Sequence, residues 1–361
     1  MSTPLFTPSA VNRTELDART VGRSDLLARL TNRIIGAARD GSRPHTLLVA
    51  PRGSGKTHTL QVAIHRALAN KTTAKGTLLL MLPEDSLAIG SYGDLLVELL
   101  RTQRRPPTSR DDVVALEREI LDLADGRMVL LAIENLDRVF DGMGEAGQGS
   151  LRAWVETSTA VLVFATAPAL FPGVSSRTHP WYGSFIIEEL PDLTVAEGAE
   201  IIARVAKGRG DDELAAYVSS PAGSERLAAV ASLAGGSPRL WHMVADFVDT
   251  SALVALEPVL ATLLDRLAPS YQQRLWQLPA GEQRLVVELA RGDGPRTVSE
   301  LSGAVGVSNQ TASAALGRLA AARWVVATKS DTGDRRATWY ELNDPLVRHV
   351  VQYRENGTIP A

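Results

Sequence analysis

The stretch from Leu47 to Thr57, LLVAPRGSGKT, constrains this chain more than any other. A short apolar run, Thr46 to Val49, reads as a buried strand. It gives way to Pro51, Gly53 and Gly55 and then to Lys56-Thr57, after which His58 to Leu68 has helical spacing. Strand, glycine loop and helix in that order make a phosphate-binding P-loop. The loop must turn tightly around Ser54 with its N–H groups pointing inward, which side chains at Gly53 and Gly55 would obstruct. Lys56 is long enough to reach β- and γ-phosphates, and the Thr57 hydroxyl suits Mg2+. His58 continues the helix, whose positive end adds its dipole. The strict pattern opens on glycine, and here that position is Ala50. A nucleoside triphosphate with Mg2+ is the expected ligand.

A strand feeding such a loop needs parallel neighbours, and three further apolar runs supply them. Thr77–Leu82, Met128–Ile133 and Ala160–Ala165 each read as a buried strand, with helical stretches at 91–100 and 111–124 between them. Strands alternating with helices predict an α/β fold, a doubly wound parallel sheet with its ligand at the strands' carboxyl ends. Ser24 or Asp25 is the expected cap of a helix that precedes the P-loop. From Pro191 the pattern turns to helices at about 194–207, 211–219, 223–234, 238–249 and 254–266, expected as a helical lid. Pro269-Ser270 marks an expected hinge. The chain thus divides into an arm over 1–19, a P-loop core over 20–190, a lid over 191–268 and a final unit over 269–361. The basic run 101–110 reads as a solvated linker.

With 361 residues, 45% hydrophobic and 22% charged, the chain has material for two or three domains with real cores. It has no cysteine, which excludes disulfides and thiolate metal sites, and its six histidines lack metal-ligand spacing. A net charge of -3 excludes indiscriminate coating of nucleic acid and confines any such contact to a local patch. No apolar run approaches the roughly 20 residues of a membrane span. The first residues carry no basic-then-apolar leader, so no membrane contact is expected and the expected place is the cytoplasm.

P-loop enzymes set an acidic residue at the end of a buried strand for Mg2+, often beside a second one that polarises water. Glu134, Asn135 and Asp137 follow the run 128–133. In one register Glu134 takes the metal position and Asn135 stands where the water-activating carboxylate belongs. An amide accepts no proton, so hydrolysis is then slow unless Asp137 or a neighbouring subunit helps. In the other register Glu134 activates water and the metal position falls on apolar Ile133. Thr166 ends the fourth run, and Gly236-Ser237-Pro238-Arg239 opens a lid helix.

Val21-Gly22-Arg23, about 25 to 30 residues before the P-loop, completes a set with the P-loop, the acidic strand end, Thr166 and Gly-Ser-Pro-Arg. Over about residues 20–265 that set resembles an AAA+ ATPase of the origin-recognition/initiator-like group, or the closely similar STAND-type ATPases. The stretches PEDSLAIGSYGDLL, ENLD and PWYGSF look like a bacterial branch of it. The resemblance implies ATP as the nucleotide, with Val21, Gly22 and Arg23 beside the adenine. It implies Thr166 as a polar sensor that orients the attacking water and Arg239 as a second sensor that reaches the γ-phosphate. Arg177, with Arg152 competing, takes the place of an arginine finger offered to an adjacent subunit, which implies self-association. Fixed charge and planar donors suit arginine to phosphate oxygens. The departures, Ala50 and Asn135, bear on turnover rather than on binding.

In the last unit, Glu282–Ala290, Thr297–Val305 and Asn309–Ala321 read as helices. Thr297 and Glu300 have capping-box spacing, and Gly306-Val307-Ser308 is a tight turn. Helix, glycine turn and helix is a helix-turn-helix. Trp324–Ala327 and Ala337–Leu342 read as two strands joined by the polar hairpin Lys329–Arg336, which makes the unit a winged helix. Its Gly-Asp-Arg-Arg resembles the wing of MarR-type repressors. Ser308, Asn309, Gln310 and Thr311 are the expected base-side residues. Arg335 and Arg336 are expected on phosphate or in the minor groove, with Arg318 and Lys329 as lesser contacts and double-stranded DNA as the partner. The expected function is a slowly hydrolysing ATP switch that binds DNA. The unit's charge is only about +2 and its third helix is rich in alanine. A second function therefore stays open, a STAND-type signalling or scaffold ATPase whose winged helix contacts other proteins.

Overall fold

The computed structural model describes residues 16–17, 19–82, 89–107, 112–234, 236–329 and 338–356. They fall into two compact units, the first ending at Glu197 and taking in Ser237–Arg239, the second holding the rest. Among the described residues no helix is long and apolar enough to cross a membrane.

The first unit is built on five parallel strands. In chain order it runs α1 (Ser24–Asp40), β1 (Thr46–Val49), α2 (Lys56–Ala69), α3 (Lys71–Lys75) and β2 (Thr77–Leu82). There follow α4 (Tyr92–Thr102), α5 (Val113–Ala124), β3 (Met128–Ile133), α6 (Leu136–Ser158), β4 (Val161–Ala167), the short α7 (Pro172–Ser175) and β5 (Ile186–Glu189). The sheet order is β2-β3-β4-β1-β5, the doubly wound arrangement read from the sequence. Every residue of β3 and β4 is buried, as expected of central strands covered on both faces. Successive strand residues point to opposite faces. Leu48, Leu130 and Phe164 pack with Leu30 and Ile34 of α1 and Leu60 and Ile64 of α2. Leu47, Leu131 and Val163 pack with Leu95 and Leu99 of α4, Ile120 of α5 and Phe140 of α6. Each fully buried leucine contributes about 1.5–3 kcal/mol to holding these layers together.

Two local features differ from expectation. Neither Ser24 nor Asp25 caps α1; the N-cap is Arg23, in the left-handed conformation (φ 59) and without a capping side chain. That turn aims the Arg23 side chain back at the P-loop. α6 bends at Gly144, whose backbone (φ 65, ψ 177) is not helical. The buried amide of Gln148 bridges the bend, donating from Nε2 to Phe140 O at 3.1 Å.

In the second unit the lid helices are α8 (Val195–Arg209, mostly in this unit), α9 (Asp212–Val218), α10 (Pro221–Ala234), α11 (Pro238–Phe247) and α12 (Thr250–Ala255). Gly198 of α8 lies against the Trp241 indole, where no side chain fits. α13 then runs without a break from Glu257 to Trp276, straight through the hinge expected at Pro269-Ser270. The winged helix comprises α14 (Ala280–Arg291), β6 (Arg296–Thr297), α15 (Val298–Val305), α16 (Asn309–Ala321), β7 (Val325–Lys329), β8 (Thr338–Leu342) and α17 (Pro345–Asn356). Its antiparallel sheet has the order β6-β8-β7. The Thr297–Glu300 capping box is formed, and Ala312, Leu316 and Leu319 face inward from α16.

Candidate functional site

At the end of β1 the backbone turns through residues 50–55. Gly53 (φ 86) and Gly55 (φ 81) hold left-handed conformations that only glycine takes without strain, and Gly55 starts α2. Lys56 is 8% exposed, and its Nζ donates to the carbonyls of Ala50 (2.8 Å) and Pro51 (3.0 Å). The ammonium is thus drawn over the loop it must serve.

The Thr57 hydroxyl donates to Oε2 of Glu134, joining the start of α2 to the end of β3. Glu134 is itself buried, and its N–H donates to Leu82 O at 3.2 Å. Asn135 is left-handed (φ 51, ψ 56), a conformation asparagine tolerates better than most residues, and its N–H donates to Thr166 Oγ1 at 3.1 Å. Lys56, Thr57, Glu134, Asn135 and Thr166 therefore gather at the carboxyl ends of β1, β3 and β4, where an open parallel sheet holds its ligands. Asp137 lies in the first turn of α6. Burial pushes its carboxyl above the usual carboxylate range, against local backbone N–H groups and Arg138. Its Oδ1 is buried without a hydrogen-bond partner.

The Val21-Gly22-Arg23 strap lies along the same loop. Arg23 donates from Nη1 to Ser54 O (2.6 Å) and from Nε and Nη2 to Pro191 O (3.2 and 2.8 Å). Burial pulls its pKa down, with Asp192 and Glu197 opposing. The Glu197 carboxylate lies against Gly22 (φ 68), where a side chain would have to displace it and would be strained by the left-handed backbone. Glu197 also closes a capping box with Thr194, whose N–H donates to Oε2 at 2.8 Å. Thr20 gives its hydroxyl proton to Leu16 O, so His58 Nε2, 2.9 Å from Thr20 Oγ1, is the donor in that pair. Ser237 Oγ and the Arg239 N–H both donate to Gly53 O at 3.3 Å, and the exposed Arg239 side chain starts beside Gly53.

Sequence reasoning missed Thr20, Pro191 and Glu197, and took Ser237 only as part of the Gly-Ser-Pro-Arg motif. The Thr194-x-x-Glu197 spacing was the visible signal for Glu197; Pro191 acts through its carbonyl and leaves no signal. Arg177 is exposed in the turn after α7, and Arg152 pairs with Glu156 on α6 (2.6 Å), so neither joins the group around Lys56. Among the described residues no three His, Asp or Glu side chains gather as a metal cage. Thr57 and Glu134 nevertheless would offer the one or two protein oxygens that Mg2+ typically takes, the others coming from water and phosphate. The glycine cradle and Lys56 fit a triphosphate.

In the winged helix, Ser308 caps α16, accepting from Thr311 N–H at 3.1 Å, and Asn309 accepts from the Ser302 hydroxyl. Gln310 and Thr311 are exposed. Arg318 donates to the buried carboxylate of Glu282 at 2.7 Å, which assigns it an internal partner. Arg335 and Arg336 lie outside the described residues.

Residues 276–337 match the MarR family model. No curated protein matches the chain. Among solved structures, the Aeropyrum pernix ORC2 protein with ADPNP and ADP superposes with TM-score 0.55 at 10% identity, covering 92% of this chain and 94% of that one. Its ADP form gives 0.54 at 11% identity, with 96% and 99% covered. The Aeropyrum pernix ORC1 protein in complex with DNA gives 0.52 at 14% identity, with 94% of each chain covered. The chain therefore has the fold of those ORC proteins, and the winged helix at its carboxyl end is similar to the MarR family.

Proposed function

We propose that this chain is a cytoplasmic ATP switch that binds double-stranded DNA through its winged helix, hydrolyses ATP slowly and self-associates with ATP. The observation that carries the reading is the Thr57–Glu134 contact beside the buried Lys56 and the two left-handed glycines. Bound ATP with Mg2+ supplies the γ-phosphoryl group that water attacks. Lys56 and the loop N–H groups grip the phosphate tail, and Thr57 and Glu134 hold the metal. His58 and the Val21–Arg23 strap flank the nucleoside. Thr166 orients water, and Arg239 and a neighbour's Arg177 answer the phosphate charge. Asn135 then stands at the water-activating position, where its amide takes no proton. The ORC2 and ORC1 structures hold adenine nucleotides and DNA, the two ligands assigned here.

One observation favours the second reading, a scaffold whose winged helix contacts protein. The exposed face of α16 presents Gln310, Ser313, Ala314 and Gly317, and its one arginine, Arg318, is paired internally. Two measurements separate the readings. In titration calorimetry with Mg2+, Lys56→Ala should lower ATP affinity by about 100-fold or more, the worth of two charge-assisted bonds. In a low-salt mobility assay with ATP, Arg335→Ala with Arg336→Ala should weaken duplex binding and leave ATP affinity unchanged. A wild-type chain that takes up no nucleotide removes the premise. Nucleotide-dependent oligomers that ignore duplex DNA would assign the winged helix to protein.

A further inference from the structure

We infer that the lid helices and the winged helix form one rigid body, splinted across Pro269 by α17. Proline inside a helix lacks an N–H, so the Asp265 carbonyl one turn earlier loses its partner, and such a residue ordinarily bends or ends the helix. α13 nevertheless runs for 20 residues, about 30 Å, from the lid into the winged helix. The contacts that keep it unbroken lie on both sides of the proline and reach the same helix. Before it, Tyr353 of α17 faces Asp265, whose carboxylate adds to burial in raising the phenol's pKa, and α17 packs along α13. After it, Tyr271 donates to Asp344 Oδ2 at 2.6 Å, and Arg274 stands 3.8 Å from the same oxygen. Asp344 Oδ1 in turn accepts from the Leu346 N–H at 3.1 Å, at the start of α17. Residues 265 and 271 thus meet 353 and 344, the pairing of two antiparallel helices.

Further packing ties the splint at each end. The Arg274 guanidinium lies over the Trp324 ring at 4.8 Å and the Tyr271 ring at 5.4 Å. Val259, Leu263, Leu264 and Leu267 are buried along the lid half of α13, and α10 packs on α17 as well. On its other side α17 grips α14, with Gln352 Nε2 donating to Ala290 O at 3.0 Å and Arg291 paired with Glu355 at 2.7 Å, and α14 packs in turn on α15 and α16. A displacement of the lid helices is therefore carried to α16 without loss in a linker. Its use in presenting α16 to DNA rests on the function proposed above; the rigidity does not.

The chain has no cysteine, so two can be placed at will for spin labels. Ala228→Cys in α10 and Ser313→Cys in α16 are both at exposed positions. Pulsed dipolar spectroscopy of the full chain should give one narrow distance distribution, unchanged by Mg2+ and ATP. Pro269→Ala should leave it unchanged too, whereas Asp344→Ala with Tyr353→Phe should broaden it roughly twofold. A broad distribution in the labelled chain, or a mean that moves when ATP is added, overturns the proposal. So does narrowing in Pro269→Ala, which would mark the proline as a working hinge. The nucleotide-free measurement stands even if calorimetry finds no ATP binding, so the two readings fail separately.

Discussion

Lowering the pH should weaken this fold through His45, the residue that leads into β1. Its Nδ1 accepts the Val163 N–H at 3.1 Å, and its ring meets Trp181 and Phe185 edge-on at 6.1 and 6.2 Å. A protonated ring would set an N–H against that N–H. Burial, and secondarily the charge on Arg43, push its pKa from 6.5 down to about 4, with Glu156 opposing. Between those values the unfolded chain binds the proton and the folded chain does not, so stability rises with pH. The contribution is complete above about pH 6.5 and is lost as the pH falls through about 4. At about 1.4 kcal/mol per pH unit it amounts to about 3 kcal/mol, or about 2 after allowing for the half-buried ring. Urea unfolding should be followed from about pH 7 to about pH 4.5 in the wild type and in His45→Asn, which keeps an acceptor near the Nδ1 position. The difference between the two curves should shrink by about 2 kcal/mol across that range. Parallel losses in both proteins would refute the argument, since carboxylate titration is common to them.

Two further outcomes follow from the site and the winged helix. Asn135→Glu should raise phosphate release at saturating ATP by about 100-fold, the usual worth of a general base. Because position 135 is left-handed, the same change should cost about 1 kcal/mol of stability. An unchanged rate would place the water-activating group elsewhere. Arg318→Ala leaves the 6% exposed Glu282 without the partner described here and should destabilise the winged helix by about 1–2 kcal/mol. Duplex affinity should stay within about twofold, because the arginine is occupied internally. Unaltered thermal unfolding would show that the pair adds nothing.

What could be read from the sequence was what is encoded locally. The P-loop, β2, β3 and β4 announce themselves because a strand buried on both faces is apolar throughout, and Thr297 and Glu300 carry their capping box in four residues. β5 was invisible: Ile-Ile-Glu-Glu is half apolar and lies at the sheet edge, where Ile186 and Ile187 are exposed. α6 was hidden by Gly142, Gly144, Gly147 and Gly149, which lower helix propensity, and by its bend at Gly144, which the Gln148 amide bridges to Phe140 O. The hinge expected at Pro269 followed from a sound local rule that the α17 splint overrides. Thr57 and Glu134 could be named as partners, but their contact spans 77 positions and exists only in the folded sheet. For Arg239 the reading fixed on the guanidinium, and its backbone N–H bond to Gly53 O left no trace in the sequence.

The reach of Arg23 also bears on how the protein is made. Its guanidinium spans two carbonyls that leave the ribosome far apart, that of Ser54 early and that of Pro191 only after the whole five-stranded sheet has been made. A nascent chain stopped short of residue 191 would already contain every P-loop residue, yet its arginine would have water in place of the second oxygen. Synthesis itself then delays completion of the pocket, and a truncated product should bind weakly even with its glycine loop intact.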